Sequence, residues 1–233
     1  MYQFLLFDAD NTLFDFDRSE HAAFSQTAAD FRLPDTPEAY EAYHHINDAL
    51  WKDFENNLID KPSLMVERFR RLCGILGCAD ANAAAINECY KVHLARSCIL
   101  LPGAEALCRT LSGRFSLYLV SNGERSVPGN RYDTAPIRPY FSELFVSEDV
   151  GAAKPSRQYF DYVAAHIPGF DRRKALIIGD SLTSDIRGGV NAGIDTCFFN
   201  PHALPVPASI QPTYTISRLD ELTALPGIAE AFA

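Results

Sequence analysis

The stretch Phe4-Leu5-Leu6-Phe7-Asp8-Ala9-Asp10-Asn11-Thr12 decides the fold. Its apolar run is continuous instead of alternating, the pattern of a strand covered on both faces of a parallel sheet. The run breaks into two carboxylates one residue apart. Like charges so placed raise each other's pKa and cost stability unless something neutralises them. Runs of the same character recur at residues 115–120, 144–146, 175–178 and 196–199. Ala104, Leu107, Cys108 and Leu111 repeat at helical spacing before the second run, and Tyr159, Phe160, Val163 and Ile167 before the fourth. Alternating strands and helices predict a doubly wound α/β parallel sheet, where ligands bind beyond the carboxyl ends of the strands.

Between the first strand and Leu100 the periodicity is helical throughout. Tyr43, Ile46, Leu50 and Phe54 form one stripe; Val66, Phe69, Leu72, Cys73 and Leu76 a second; Ile86, Cys89, Tyr90 and Leu94 a third. Thr36-Pro37 and Lys61-Pro62-Ser63 mark helix starts, and Gly77 a stop. Residues 16–96 therefore read as an inserted helical cap on a core formed by residues 1–15 and 97–233. The proline-rich stretch His202 to Pro212 reads as a surface loop before a short final strand and helix.

Four polar clusters stand at the ends of predicted strands. At the first, Asp8 beside a divalent cation stays ionised and can attack phosphorus, while Asp10 can hand a proton to the leaving oxygen; the competing reading is an Asx-rich turn with Thr12 as a helix cap. At the second, Ser121-Asn122-Gly123 combines a hydroxyl with accessible backbone N–H groups, a cradle for phosphate oxygens, although it is also an ordinary turn sequence. The third cluster, Gly151 to Pro155, holds Lys154 between small residues and a proline that opens the next helix, so that its ammonium is directed over the sheet edge. The fourth, Gly179-Asp180-Ser181-Leu182-Thr183-Ser184-Asp185, offers Asp180 as a second metal ligand, with Asp185 one helical turn on in support. Hard oxygen donors match magnesium. No His/Cys grouping in the sequence suggests zinc, and the six histidines, adjacent His44 and His45 included, read as surface or packing residues.

With 47% hydrophobic residues in 233, the chain can bury a substantial core. A net charge of −9 disfavours bulk nucleic acid and anionic membranes as partners, but leaves room for one phosphate in one pocket. The six cysteines contain no CxxC pair and read as buried free thiols. The opening MYQFLLFDAD lacks a basic segment and meets carboxylates at once, so neither a signal peptide nor a membrane anchor is expected there; the expected location is the reducing cytoplasm.

The ordered motifs DADNT (8–12), SNG (121–123), KPS (154–156) and GDSLTSD (179–185) resemble the haloacid dehalogenase-like superfamily, with the insert where its helical-cap members carry one. The resemblance implies a Rossmann-like core, an aspartyl-phosphate at Asp8 and acid/base work by Asp10. It also implies phosphate contacts from Ser121, Asn122 and Lys154, and Mg2+ held by Asp8, the Asp10 backbone carbonyl and Asp180, with Thr12 and Asp185 supporting. The stretches FDADNTLFDFD (7–17), INDALWKDFENNLI (46–59) and FVSEDVGAAKP (145–155) are similar to those of pyrimidine 5′-nucleotidases. This implies a phosphatase acting on a small phosphorylated metabolite, a nucleoside monophosphate, as a monomer or homodimer. Sugar-phosphate or phosphoglycolate-type phosphatases and β-phosphoglucomutase-like enzymes share these motifs. A haloacid dehalogenase would lack an acid two residues after its nucleophile, and a non-catalytic phosphometabolite sensor would not need the intact set. Pro128-Gly129 departs from the pattern: proline costs a helix about 3 kcal/mol, so a loop is expected there.

Overall fold

The first apolar run is strand β1 (Phe4–Phe7), buried at every position in the computed structural model, which describes residues 1–124 and 130–232. It is joined by β2 (Ser116–Ser121), β3 (Phe141–Val146), β4 (Ala175–Gly179), β5 (Asp195–Phe199) and β6 (Tyr214–Ile216). All pairings are parallel, in the order β3-β2-β1-β4-β5-β6, a Rossmann-like sheet with β1 inside it. The chain runs outward from β1 through β2 to β3 and then returns from β3 to β4 on the other side of β1, and this reversal opens the crevice in which such sheets bind ligands.

Strand β3 begins three residues before the predicted run, because Ser142 and Glu143 are exposed and supply no apolar signal. The helix predicted after the last strand is instead two 3₁₀ segments, Leu219–Ala224 and Ala229–Ala231.

The chain divides into two compact units: Met1–Asp15 with residues 100–124 and 132–232, and Phe16–Ile99 with residues 130–131. The second contains α1 (Phe16–Phe31), α2 (Pro37–Glu55), α3 (Lys61–Ile75) and α4 (Ala83–Arg96). Their starts are fixed by side-chain caps that satisfy backbone donors the helix itself cannot: Thr36 accepts from the Ala39 N–H, Asp60 from Ser63 and Asn82 from Ala85. Gly77, at φ +73°, ends α3 in a left-handed turn that a side chain would strain.

Phe24, Tyr43, Phe69 and Tyr90 pack as an aromatic cluster with centroid separations of 5.1–5.5 Å. Val66, placed on an apolar stripe by its spacing, is exposed instead. The inner face of α1 carries a buried carboxylate, Glu20, which accepts from Asn47 Nδ2 at 2.9 Å and Tyr40 OH at 3.1 Å and pairs with His44 Nδ1 at 2.7 Å. Buried Arg68 donates to Asn47 Oδ1 at 3.2 Å and Asn87 Oδ1 at 2.7 Å and lies 4.7 Å over the Tyr90 ring. Charges so deep persist only when paired or hydrogen-bonded.

In the first unit, α5 (Ala104–Ser112) buries Ala104, Leu107, Cys108 and Leu111, the residues its spacing singled out. Short helices α6 (Arg131–Thr134) and α7 (Ser147–Val150) flank β3 in the chain, followed by α8 (Arg157–His166), and α9 (Arg187–Ala192) precedes β5. The loop expected around Pro128-Gly129 falls on residues 125–129, outside the described residues. All six cysteines are free thiols, but only Cys73, Cys108 and Cys197 are buried; Cys78, Cys89 and Cys98 are partly exposed. Among the described residues, no helix is long and apolar enough to cross a membrane.

Candidate active site

Asp8 follows β1 directly, its N–H donating to Ile178 O at 2.8 Å and so extending the pairing with β4 by one residue. The chain then closes a tight turn: Leu13 and Phe14 both donate to Ala9 O at 2.9 Å, Asn11 takes φ +57°, and Leu101 donates to Leu13 O. Asparagine tolerates that left-handed backbone better than most side chains. The turn fixes Asp8 and Asp10 at the carboxyl edge of the sheet.

Lys154 is 2% exposed, and its ammonium has three acceptors: Asp8 Oδ1 at 2.5 Å, Asp185 Oδ1 at 2.7 Å and Val120 O at 2.9 Å. An ammonium has three protons to give, so the group is saturated. Its backbone is held by Asn122, whose amide pairs with both the Lys154 N–H and its carbonyl. Pro155 does not open the next helix; α8 starts at Arg157 behind the Ser156 cap, and the Lys154–Pro155 peptide is cis.

Asp185 sits in a single π-helical turn (Leu182–Ile186) and spends its oxygens on Lys154 and on the Ser181 N–H at 3.1 Å. Gly179 is required beneath it, since a Cβ there would overlap the Asp185 side chain. Asp180 accepts from Thr12 Oγ1 at 3.3 Å. One oxygen from each of Asp8, Asp180 and Asp185 falls within a 4.8 Å cluster.

The electrostatics follow from this crowding. Burial pushes the Asp8 carboxyl up to about 7, against the pull of the Lys154 ammonium. Burial also drives Asp180 well above the usual carboxylate range, with the Asp8 and Asp185 charges adding to the effect. Lys154 is held above its ordinary range by those two acids in spite of its burial. One ammonium among three carboxylates leaves an excess of negative charge that a divalent cation would neutralise. The donor set fits magnesium: oxygens only, with Asp185 committed to Lys154 and Ser181, and Asp8 Oδ2 and Asp180 standing outside the Lys154 bonds.

Ser121, at the end of β2, accepts from the Gly123 N–H at 2.9 Å, and its hydroxyl lies 3.4 Å from Tyr132 OH. Tyr132 in turn donates to Asp10 Oδ2 at 3.2 Å. Sequence reasoning missed Tyr132. It follows the segment that breaks helical expectation, and nothing in its spacing points to Asp10. The one hint was Gly123, where a Cβ would overlap the Tyr132 hydroxyl.

Asp8, Asp10, Ser121, Asn122, Lys154, Asp180, Asp185 and Thr12 thus all lie at one edge of the sheet. A parallel sheet carrying an anchored carboxylate, a buried lysine and further acids at its carboxyl edge is an α/β hydrolase site. The chain belongs to the haloacid dehalogenase-like hydrolases, whose family pattern spans residues 2–193. It is 38% identical to pyrimidine 5′-nucleotidase PynA of Streptococcus pneumoniae, over 95% of this chain and 93% of that one. It is 34% identical to pyrimidine 5′-nucleotidase YjjG of Escherichia coli, over 96% and 97% of the two chains. The crystal structure of the HAD-hydrolase YfnB from Bacillus subtilis, bound to magnesium, matches with a TM-score of 0.92 and 38% identity, over 96% and 97% of the two chains.

Proposed function

We propose that this hydrolase removes phosphate from nucleoside 5′-monophosphates through an aspartyl-phosphate on Asp8, with Mg2+ as cofactor, in the reducing cytoplasm. The observation that carries the reading is the arrangement around two acids: Asp8 bound to Lys154, and Asp10 bound to Tyr132.

An Asp8 carboxylate oxygen attacks phosphorus in line with the ester oxygen, and the phosphorus–ester bond breaks as Asp10 donates a proton to the departing alcohol. Asp10 then takes a proton from water, which attacks the phosphoryl group and releases inorganic phosphate and free Asp8. Lys154 faces the charge that develops on the transferring oxygens, Ser121 contributes its hydroxyl hydrogen, and Asn122 contributes by fixing Lys154. Asp8, Asp180 and the Asp10 carbonyl would hold Mg2+, whose charge keeps the Asp8 carboxylate ionised and screens the phosphate. The nucleotide preference rests on likeness to the two proteins named pyrimidine 5′-nucleotidases.

Phosphate release from nucleoside monophosphates and sugar phosphates, with magnesium or EDTA, tests both levels. Magnesium-dependent release favouring pyrimidine nucleotides, and abolished in Asp8→Asn, is the expected result. A preference for sugar phosphates would move the substrate class and leave the mechanism; undiminished release by Asp8→Asn would overturn the mechanism.

A further inference from the structure

The helical unit gathers a set of ligand-type side chains of its own. Cys89 and His93 lie four residues apart on α4, and the helical period puts them on one face. Asp30, in the last turn of α1, reaches the same spot. The Cys89 thiol donates to Asp30 Oδ2 at 3.2 Å, and His93 Nε2 lies 2.8 Å from that oxygen. One donor atom from each residue falls within a 4.8 Å cluster. The sequence alone gives only a Cys/His pair; its third member arrives from another helix.

We propose that Asp30, Cys89 and His93 form a zinc(II) site on the helical unit. The chemistry of the three donors selects the ion. A thiolate and an imidazole suit a borderline metal such as zinc and are poor partners for magnesium, whereas the sheet-edge cluster is all oxygen. Three protein ligands leave the fourth tetrahedral position for water.

The geometry needs little adjustment. Zinc bonds of about 2.0–2.3 Å place neighbouring donor atoms roughly 3.3–3.8 Å apart in a tetrahedron. The thiol–carboxylate and imidazole–carboxylate separations of 3.2 and 2.8 Å have only to open by a rotation of the Asp30 side chain. That side chain is 55% exposed, while His93 is 17% exposed, so the carboxylate is free to swing onto a helix-fixed pair. Binding breaks the Cys89 S–H bond, its proton going to solvent, and takes the Nε2 hydrogen that His93 shares with Asp30, which passes to solvent or to Nδ1; sulfur–metal, nitrogen–metal and oxygen–metal bonds replace them with no change of oxidation state. A simple ion pair would involve only Asp30 and His93, so Cys89 separates the two descriptions.

Cobalt(II) in place of zinc provides the probe, because its thiolate complexes carry a charge-transfer absorption that oxygen-only sites lack. Full-length protein, reduced and kept anaerobic, is titrated with Co2+ alongside Asp8→Asn, which disables the sheet-edge site. Both are expected to develop the band, saturating at one ion per chain and bleached by equimolar Zn2+. Cys89→Ser should lose it. His93→Gln should weaken binding at least about tenfold, since even an outer-sphere partner of a ligand contributes that much. Absence of the band in the wild type, or its persistence in Cys89→Ser, would overturn the proposal. Asp30→Asn keeps the thiol and changes an exposed side chain; unaltered Co2+ affinity in that variant would equally remove the site.

Discussion

The carboxamide of Asn122 clamps Lys154 from both sides, with Nδ2 donating to the Lys154 carbonyl at 2.9 Å and Oδ1 accepting from its N–H at 2.8 Å. The clamp fixes the backbone from which the buried ammonium reaches Asp8. Asn122→Ala strands both groups and should cost about 1–3 kcal/mol in chemical denaturation. On the proposed mechanism, turnover of a phosphomonoester should fall through kcat more than through KM, because the displaced group would face charge that develops in the transition state.

Lys154→Met should be the most destabilising change at the site. Removing one partner of a buried ion cluster typically costs about 3–5 kcal/mol, because the remaining charge has lost its compensation. Thermal unfolding without metal would show the full loss, and added magnesium should restore part of it. A loss below about 1 kcal/mol would mean that Asp8 and Asp185 are neutralised by other groups.

Tyr132→Phe deletes the hydroxyl that donates to Asp10 Oδ2 and changes little else in volume. A hydrogen bond of about 1 kcal/mol corresponds to roughly a fivefold loss in kcat. Unchanged kcat would leave Tyr132 as packing alone.

Gly179→Ala inserts a methyl group where the Asp185 Cβ and carboxyl carbon already stand. Overpacking of this kind costs about 1–3 kcal/mol, and here the strain falls on a partner of Lys154. Stability and activity should therefore drop together, as unfolding curves and rates on one preparation would show.

The helical unit should impose its own pH dependence. The hydrogen bond to Glu20 lifts His44 from its ordinary 6.5 to about 9, with Asp48 and Asp17 adding attraction and partial burial opposing. The folded state thus binds this proton more tightly than the unfolded chain does, so the stabilisation is complete below about pH 6.5 and is lost as pH rises through about 9. Burial raises Glu20 as well, even though His44 and Tyr40 pull it down, which gives that carboxyl the same sign at lower pH. The melting temperature should decline from pH 6.5 to 9 in the wild type and be flatter over that interval in His44→Gln.

Legibility in the sequence tracked burial. Strands β1, β4 and β5 are apolar on both faces, and their runs stood out. The start of β3 was hidden by exposed Ser142 and Glu143. Helix α1 gave no stripe of its own because its inward face mixes Ala23, Phe24 and Ala28 with Ser19, Glu20 and Thr27, polar residues buried by pairing and not by hydrophobicity. At the site, Asp8 and Asp180 were readable as charge directly after an apolar strand, and Lys154, beyond α7, from its place between small residues and a proline. The links between them were not. That Asn122 grips Lys154, that Asp185 shares the ammonium, and that Tyr132 meets Asp10 are contacts across 31 to 122 residues of chain, which spacing cannot express.

The place of β1 within the sheet also bears on when the enzyme comes into being during synthesis. Both hydrogen-bonding neighbours of β1 lie far along the chain: Phe4 is in register with Ser116 on one side and Ala175 on the other. The segment Phe16–Ile99 forms a compact unit without the strands, and its helices can assemble while the ribosome is still adding residues. The strand that bears Asp8 must wait for β4, far later in the chain, before its second edge is closed. A nascent chain therefore stays catalytically silent until β4 and the acids that follow it have emerged, and the waiting apolar strand is a part of the molecule in need of a chaperone.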